Sequence, residues 1–207
     1  MAEHKDITDP NIHETKGAAA ATVGQVLIAT GSGTATFQTP PFSTMQIGWW
    51  DYNDLETQTT PISLAVVGTK YDLTNDTLGP NTQTGFGLSG VSKVWDPVSD
   101  RFDFTEVDIG DTFELRSDLT ITTTNANTAV SLELEFGVGT GTPFVVPVFA
   151  GTNFKTAGTY QLVHSREWYI GSAFTRDNPC RLRMSADTAG ATVKVNGWFV
   201  RVIKPSA

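Results

Sequence analysis

Residues 112–138, TFELRSDLTITTTNANTAVSLELEFGV, decide the fold class. In the first half Phe113, Leu115, Leu119 and Ile121 take odd positions, with Thr112, Glu114, Arg116 and Asp118 between them. In the second half Leu132, Leu134, Phe136 and Val138 share one face of an extended chain, and Ser131, Glu133 and Glu135 share the other. A period of two is what a half-buried strand requires, with one face on a core and the other toward water. Asn125, Asn127 and the threonines around them supply turn chemistry, because short amide side chains tolerate left-handed backbone and bond their own loop. The stretch is therefore expected to be an antiparallel hairpin.

Outward from it the same rhythm continues. Strands are expected at 62–69, 91–95, 101–105, 112–123, 129–138, 144–149, 159–163, 168–174, 181–186 and 192–203. Turn signals separate them at Asp96-Pro97, Gly110-Asp111, Gly139-Thr140-Gly141, Ala157-Gly158, Asn178-Pro179 and Ala189-Gly190. Many short strands without a helical pattern between them indicate an all-β sandwich, and their number fits a jelly roll over 61–207. In the last strand the apolar phase changes at Asn196-Gly197, from Val193 and Val195 to Trp198, Val200 and Val202. A bulge explains that change, and so does a strand buried on both faces, the second face being covered by another subunit.

Residues 1–42 are different in kind: poor in large apolar side chains and rich in Ala, Gly and Thr. Val26 and Ile28 alternate with Gln25 and Leu27, and Gly31-Ser32-Gly33 can turn the chain back through Thr34 and Thr36, so a small hairpin is expected. An isolated two-stranded hairpin is marginal in water and needs copies of itself or another surface to pack on. Pro40-Pro41 forms a stiff spacer. An aromatic connector follows at 43–60, where Trp49 and Trp50 point opposite ways if extended; burial within the strand and a subunit contact are the two readings.

The 207 residues suffice for one sizeable domain with an appendage. A net charge of -8 argues against affinity for nucleic-acid phosphate. The start MAEHKDITDP lacks the apolar core of a signal peptide, and no window is long enough to span a bilayer, so no membrane partner is expected and synthesis in a host cytoplasm is. The single Cys180 excludes an intrachain disulfide and a cysteine-based metal cluster; it reads as a small buried residue.

Catalytic chemistry is sparse. There is no nucleophile elbow, P-loop, zincin helix or dinucleotide fingerprint. Glu133 and Glu135 form a same-face carboxylate pair of a kind glycosidases use, and a polar strand face is the competing reading. Asp100, Asp103 and Asp108 lack the order of a calcium loop. Arg166-Glu167-Trp168-Tyr169 reads as core packing beside a strand start, with stacking on a sugar as the alternative. His164 reads as a hydrogen-bonded strand histidine. No enzyme activity and no cofactor are expected.

The phrase Ile7-Thr8-Asp9-Pro10-Asn11-Ile12-His13-Glu14-Thr15-Lys16-Gly17, with the Ala18–Ala21 tract, Gly24-Gln25-Val26 and the hairpin turn after it, resembles the start of tailed-bacteriophage head-fibre and capsid-decoration proteins. Thr15 stands where that family often has proline. The C-terminal part resembles, by pattern, trimeric jelly rolls of the tumour-necrosis-factor and complement type. The resemblance implies a virion structural protein on the capsid surface: a homotrimer whose extended arm binds the major capsid protein through Asp9, Pro10, His13, Glu14, Lys16 and Gly17. Trp49, Trp50, Trp198, Phe199 and Val200 are the expected trimer interface. The alternative is a trimeric tail fibre or spike that binds a host-surface glycan or protein.

Overall fold

The computed structural model describes residues 21–31, 34–39 and 45–204, which fall into two compact units that part between residues 39 and 45. The N-terminal unit is a ribbon of β1 (Val26–Gly31) and β2 (Thr34–Gln38), paired antiparallel. The second unit begins with β3 (Gln46–Asn53), α1 (Glu56–Thr59), β4 (Ile62–Leu64), β5 (Tyr71–Asp72), β6 (Gln83–Phe86), β7 (Trp95–Asp96) and β8 (Arg101–Phe102). It continues with β9 (Thr112–Thr123), β10 (Thr128–Phe136), β11 (Phe144–Phe154), β12 (Gly158–Tyr169), α2 (Ala173–Asp177), β13 (Cys180–Ala186) and β14 (Ala191–Lys204). Its strands form two antiparallel sheets. Sheet I runs β11-β10-β13-β8-β7 with β5 beside β13, and sheet II runs β12-β9-β14-β3-β6 with β4 beside β14. The architecture is an all-β, jelly-roll-like sandwich.

The expected hairpin of residues 112–138 is corrected by this topology. β9 lies in sheet II and β10 in sheet I, so the two strands do not pair with each other. Each carries an apolar face on a period of two, buried at Phe113, Leu115, Leu119 and Ile121 in β9 and at Val130, Leu132 and Leu134 in β10. Those faces meet across the core, and the turn between them steps from one layer to the other. Asn127 takes a left-handed φ of 56° there, and the Asn125 side-chain amide donates to the Ala189 carbonyl at 2.9 Å, tying this turn to the one before β14. β9 then pairs with β12 on one side and β14 on the other, which makes it central to its sheet.

Further departures have local causes. The aromatic segment expected as a connector contributes β3 and α1, and β3 pairs along β14 from Gln46↔Lys204 to Asn53↔Gly197. The separate strands expected at 159–163 and 168–174 are replaced by the single β12, after which Ser172 caps α2 by accepting from the Thr175 amide. The expected strand at 62–69 is trimmed to β4, and that at 91–95 leaves only the start of β7. In β14 the register shifts between Val195 and Gly197, so the phase change is a bulge. It turns Val193 and Val195 inward before it and Trp198, Val200 and Val202 inward after it, all fully buried. A Cβ on Gly197 would lie 2.8 Å from the Tyr52 carbonyl oxygen, which explains the glycine.

The core is aromatic at its centre. Trp95 packs edge-on against Phe102 at 4.7 Å and Trp198 at 6.0 Å, and Phe104 meets Phe113 at 4.4 Å. Each such side chain, fully buried, contributes on the order of 1.5–3 kcal/mol. Burial raises the Tyr52 phenol to about 12, and its hydroxyl accepts from the Val94 amide at 3.1 Å. Burial likewise holds the Cys180 thiol well above its ordinary value, so it is an inert core residue.

Candidate interaction surfaces

Cross-strand register assembles the outer face of sheet II row by row. One row reads Glu167, Glu114, Arg201, Trp49 and Phe86, and the next reads Ser165, Arg116, Phe199 and Asp51. The face therefore grades from charge toward aromatic rings as it approaches β3 and β6. Trp49 stacks on Phe86 at 4.4 Å and on Phe199 at 5.9 Å, and the Arg116 guanidinium lies 5.2 Å from the Phe199 ring centre. Ile47 and Phe86 remain 49% and 54% exposed at the margin of this cluster. The arginines are already neutralised: Arg201 contacts Glu114 at 2.7 Å and Arg116 contacts Asp118 at 3.0 Å. Asp51, beside the rings, has its carboxyl raised above the ordinary value by burial, an effect that Arg116 partly offsets.

A second surface lies at the opposite edge of the sandwich, where β11 and β12 end their respective sheets. Between them Val146, Phe149, Tyr160, Leu162 and Trp168 are only half-buried. Phe144 and Tyr169 are exposed and line, with Phe136, Val146 and Trp168, a cavity of about 250 Å³, while Val145 and Val163 are exposed on the outer faces of the same edge strands, opposite Glu135 and Asp118. The two edges are defended differently. β11 carries Pro147 and two register shifts against β10, devices that discourage further pairing, whereas β12 keeps an unbroken register with β9 from Gly158↔Thr123 to Tyr169↔Thr112. His164 faces this region with its ring 5.5 Å from Phe149, and its Nε2 is buried without a partner among the described residues, unlike the hydrogen-bonded histidine expected.

The outer face of sheet I carries an ion ladder. Glu133 opposes Arg183 and Glu135 opposes Arg181 in the β10–β13 register. Arg183 reaches Glu133 at 2.8 Å and Glu135 at 3.2 Å, and Arg181 reaches Glu135 at 2.5 Å and Asp72 at 2.6 Å. Lys70 pairs with Glu133 and Arg101 with Asp72 at the two ends. Both carboxylates of the pair considered for glycoside hydrolysis are thus held by cations on a flat face. Among the described residues, no three His, Cys, Asp or Glu side chains gather as a metal ion would need.

The expected site residues divide accordingly. Asp9, Pro10, His13, Glu14, Lys16 and Gly17 lie outside the described residues. Trp50, Trp198 and Val200 are fully buried within a single chain, which removes them from any subunit surface. Trp49 and Phe199 are half-exposed on the outer face of sheet II. Sequence reasoning missed Phe86, Phe144 and Val163. Tyr169, read with Trp168 as core packing or as a sugar-stacking site, is exposed while Trp168 is half-buried, because consecutive residues of a strand point to opposite faces.

No family model matches the chain, and no curated protein matches it. Among solved structures, the chain is similar to one of the infectious bursal disease virus Gx strain at 10% identity and TM-score 0.43, over 86% of this chain and 36% of that one. It is also similar to a xylan-binding domain from Paenibacillus barcinonensis at 14% identity and TM-score 0.36, over 70% of this chain and 94% of that one. A third likeness is to the PRD1 vertex protein P5, at 14% identity and TM-score 0.30, over 78% and 96%. The chain spans about a third of the length of the bursal-virus chain. At such values these likenesses carry no inference about ligand or partner. No helix among the described residues is long and apolar enough to cross a membrane.

Proposed function

We propose that this chain is a non-enzymatic virion structural protein, a homotrimeric head-fibre or capsid-decoration protein. In this reading the N-terminal arm holds it to the major capsid protein and the sandwich stands outward. The observation that carries the proposal is the contrast of two units: a sandwich with its own aromatic core, and a ribbon that among the described residues is a two-stranded sheet and leaves Val26 and Leu27 43% and 44% exposed. A segment of that kind gains order by contact with something else. The phrase from Asp9 to Gly17 before it, similar to the start of phage head-fibre proteins, supports the shell as the contact of that preceding segment.

Two distinct apolar surfaces at opposite edges of the head support the oligomer. One is the Trp49, Phe86 and Phe199 cluster, and the other is the open β11–β12 edge with its cavity. Joining one kind of surface to the other is a heterologous contact, which closes into a ring when the rotation between copies is a whole fraction of a turn, and a ring of three matches the local threefold axes of a capsid lattice. Three arms on one trimer multiply weak attachments. Glu133 and Glu135, committed to their ladder, favour the non-enzymatic reading.

The arm is tested by deleting residues 1–44 and sedimenting the remaining head with undecorated capsids of the encoding virus. Loss of co-sedimentation is expected, and undiminished binding refutes the arm's role. Antibody labelling of whole virions then locates the protein. Label over the shell is expected, whereas label confined to the tail vertex would favour the receptor-binding fibre.

A further inference from the structure

The ribbon of β1 and β2 has one wholly apolar face. Its register sets Leu27 opposite Phe37 and Ala29 opposite Ala35, while Val26 faces Gln38 and Ile28 faces Thr36. Directly opposed residues of an antiparallel pair share a face. Leu27, Ala29, Ala35 and Phe37 therefore form one side, and Val26, Ile28, Thr36 and Gln38 form a mixed other side. No charged residue occurs between positions 26 and 38. Leu27, Ala29 and Ala35 are exposed and Phe37 is half-exposed, and among the described residues no further strand pairs with either member of the ribbon.

We infer that the Leu27, Ala29, Ala35 and Phe37 face is a self-association surface, on which the ribbons of three copies of this chain pack against one another. The inference rests on the homotrimer proposed above. The composition of the face favours a second copy over a foreign surface. Obligate contacts between copies resemble a domain core cut in half and are more apolar than contacts with separate proteins, and this ribbon joins a wholly apolar face to strands that carry no charge. The opposed alanines leave room for backbones to approach closely, with Leu27 and Phe37 closing a layer beside them.

Tethering supplies the rest. Only residues 39–45 separate β2 from β3, and seven residues reach at most about 25 Å. Once the heads associate, the ribbons are confined near one another at an effective concentration on the order of millimolar. A contact too weak to hold free ribbons is then populated.

Single-cysteine variants of the full chain test this. The native Cys180 is buried and does not compete. Ala29→Cys and Ala35→Cys are expected to form disulfide-linked pairs under mild oxidation, with one thiol of three left over, while Thr36→Cys on the other face stays uncrosslinked. Adding Phe37→Asp to Ala29→Cys is expected to reduce the cross-linked fraction at least several-fold while sedimentation still reports a trimer. Cross-linking of Thr36→Cys as efficient as that of Ala29→Cys overturns the inference. So does a protein that sediments as a trimer yet gives no cross-link from either alanine position; in that case the trimer stands and only the ribbon contact fails. An Ala29→Cys adduct formed solely with capsid protein, after mixing with shells, assigns the face to the shell and also overturns it. A monomer in sedimentation removes both the inference and the trimer beneath it.

Discussion

Replacing Glu135 by glutamine removes the charge at the middle of the ion ladder while keeping its shape. The Glu135 side chain is 9% exposed and serves two guanidiniums, Arg181 at 2.5 Å and Arg183 at 3.2 Å. Each keeps one other carboxylate, Asp72 for Arg181 and Glu133 for Arg183, so neither cation is stranded. Stranding a buried charge costs about 3–5 kcal/mol, and the one charge-assisted hydrogen bond, from Arg181, is worth about 1.5–3 kcal/mol, with the Arg183 ion contact beside it. The partial exposure of both arginines, 22% and 17%, and their remaining partners reduce this to about 2 kcal/mol. In a domain of this size that corresponds to a fall in Tm of roughly 4–8 °C. Glu133→Gln is expected to cost less, about 1 kcal/mol, because one of its partners, Lys70, is 42% exposed. Urea denaturation of both variants, with Tm from calorimetry, supplies the comparison. Equal losses, or a larger loss at Glu133, would refute the reasoning that burial sets the value of each rung.

Other expectations follow from single contacts. Gly197→Ala places a methyl 2.8 Å from the Tyr52 carbonyl oxygen and 3.2 Å from Asn53 Oδ1, so it should open the β14–β3 pairing and cost about 1–3 kcal/mol in urea unfolding. A loss below about 0.5 kcal/mol would contradict that packing. Asp100 holds a left-handed φ of 53°, and burial raises its carboxyl above the ordinary value. Because the folded state then binds the proton more tightly than the unfolded one, its ionisation weakens folding as pH rises above the ordinary carboxylate range. Asp100→Asn, which tolerates the same backbone, should raise Tm at pH 7 and leave it unchanged near pH 3; a gain equal at both values would be incompatible with this. Glu106 shows the opposite sign. It accepts from the Ser92 amide at 2.6 Å, and that bond lowers its carboxyl, so its contribution is present at neutral pH and lost as the solution is acidified below the ordinary carboxylate range. Glu106→Gln should accordingly lower Tm at pH 7 and make no difference near pH 2.5; an equal deficit at both would contradict the assignment.

The strands were legible where side-chain alternation was strong. β9, β10, β13 and β14 sit within a few residues of their expected positions, because an apolar face on a period of two marks an inward surface whichever strand lies alongside. The same signal is silent about neighbours, so β9 and β10 read as a hairpin although their faces meet across the core. β3 was obscured because Trp49 and Trp50 mask alternation when one ring goes inward and the other joins a stack on the outer face. The ion ladder was written in the sequence as Glu133-x-Glu135 and Arg181-x-Arg183 on two expected strands, a complementary pair visible only once those strands are placed side by side. Phe86 lies on a strand of four residues within a glycine-rich loop, too short to show a period.

In the proposed trimer the exposed apolar surfaces of the head meet those of its own copies, and the N-terminal ribbon gains order by contact. The molar mass of the purified full chain, measured by sedimentation equilibrium at micromolar concentration, tests this most directly. Three times the 22.3 kDa chain mass is the predicted result. A single, stable 22.3 kDa species would contradict it.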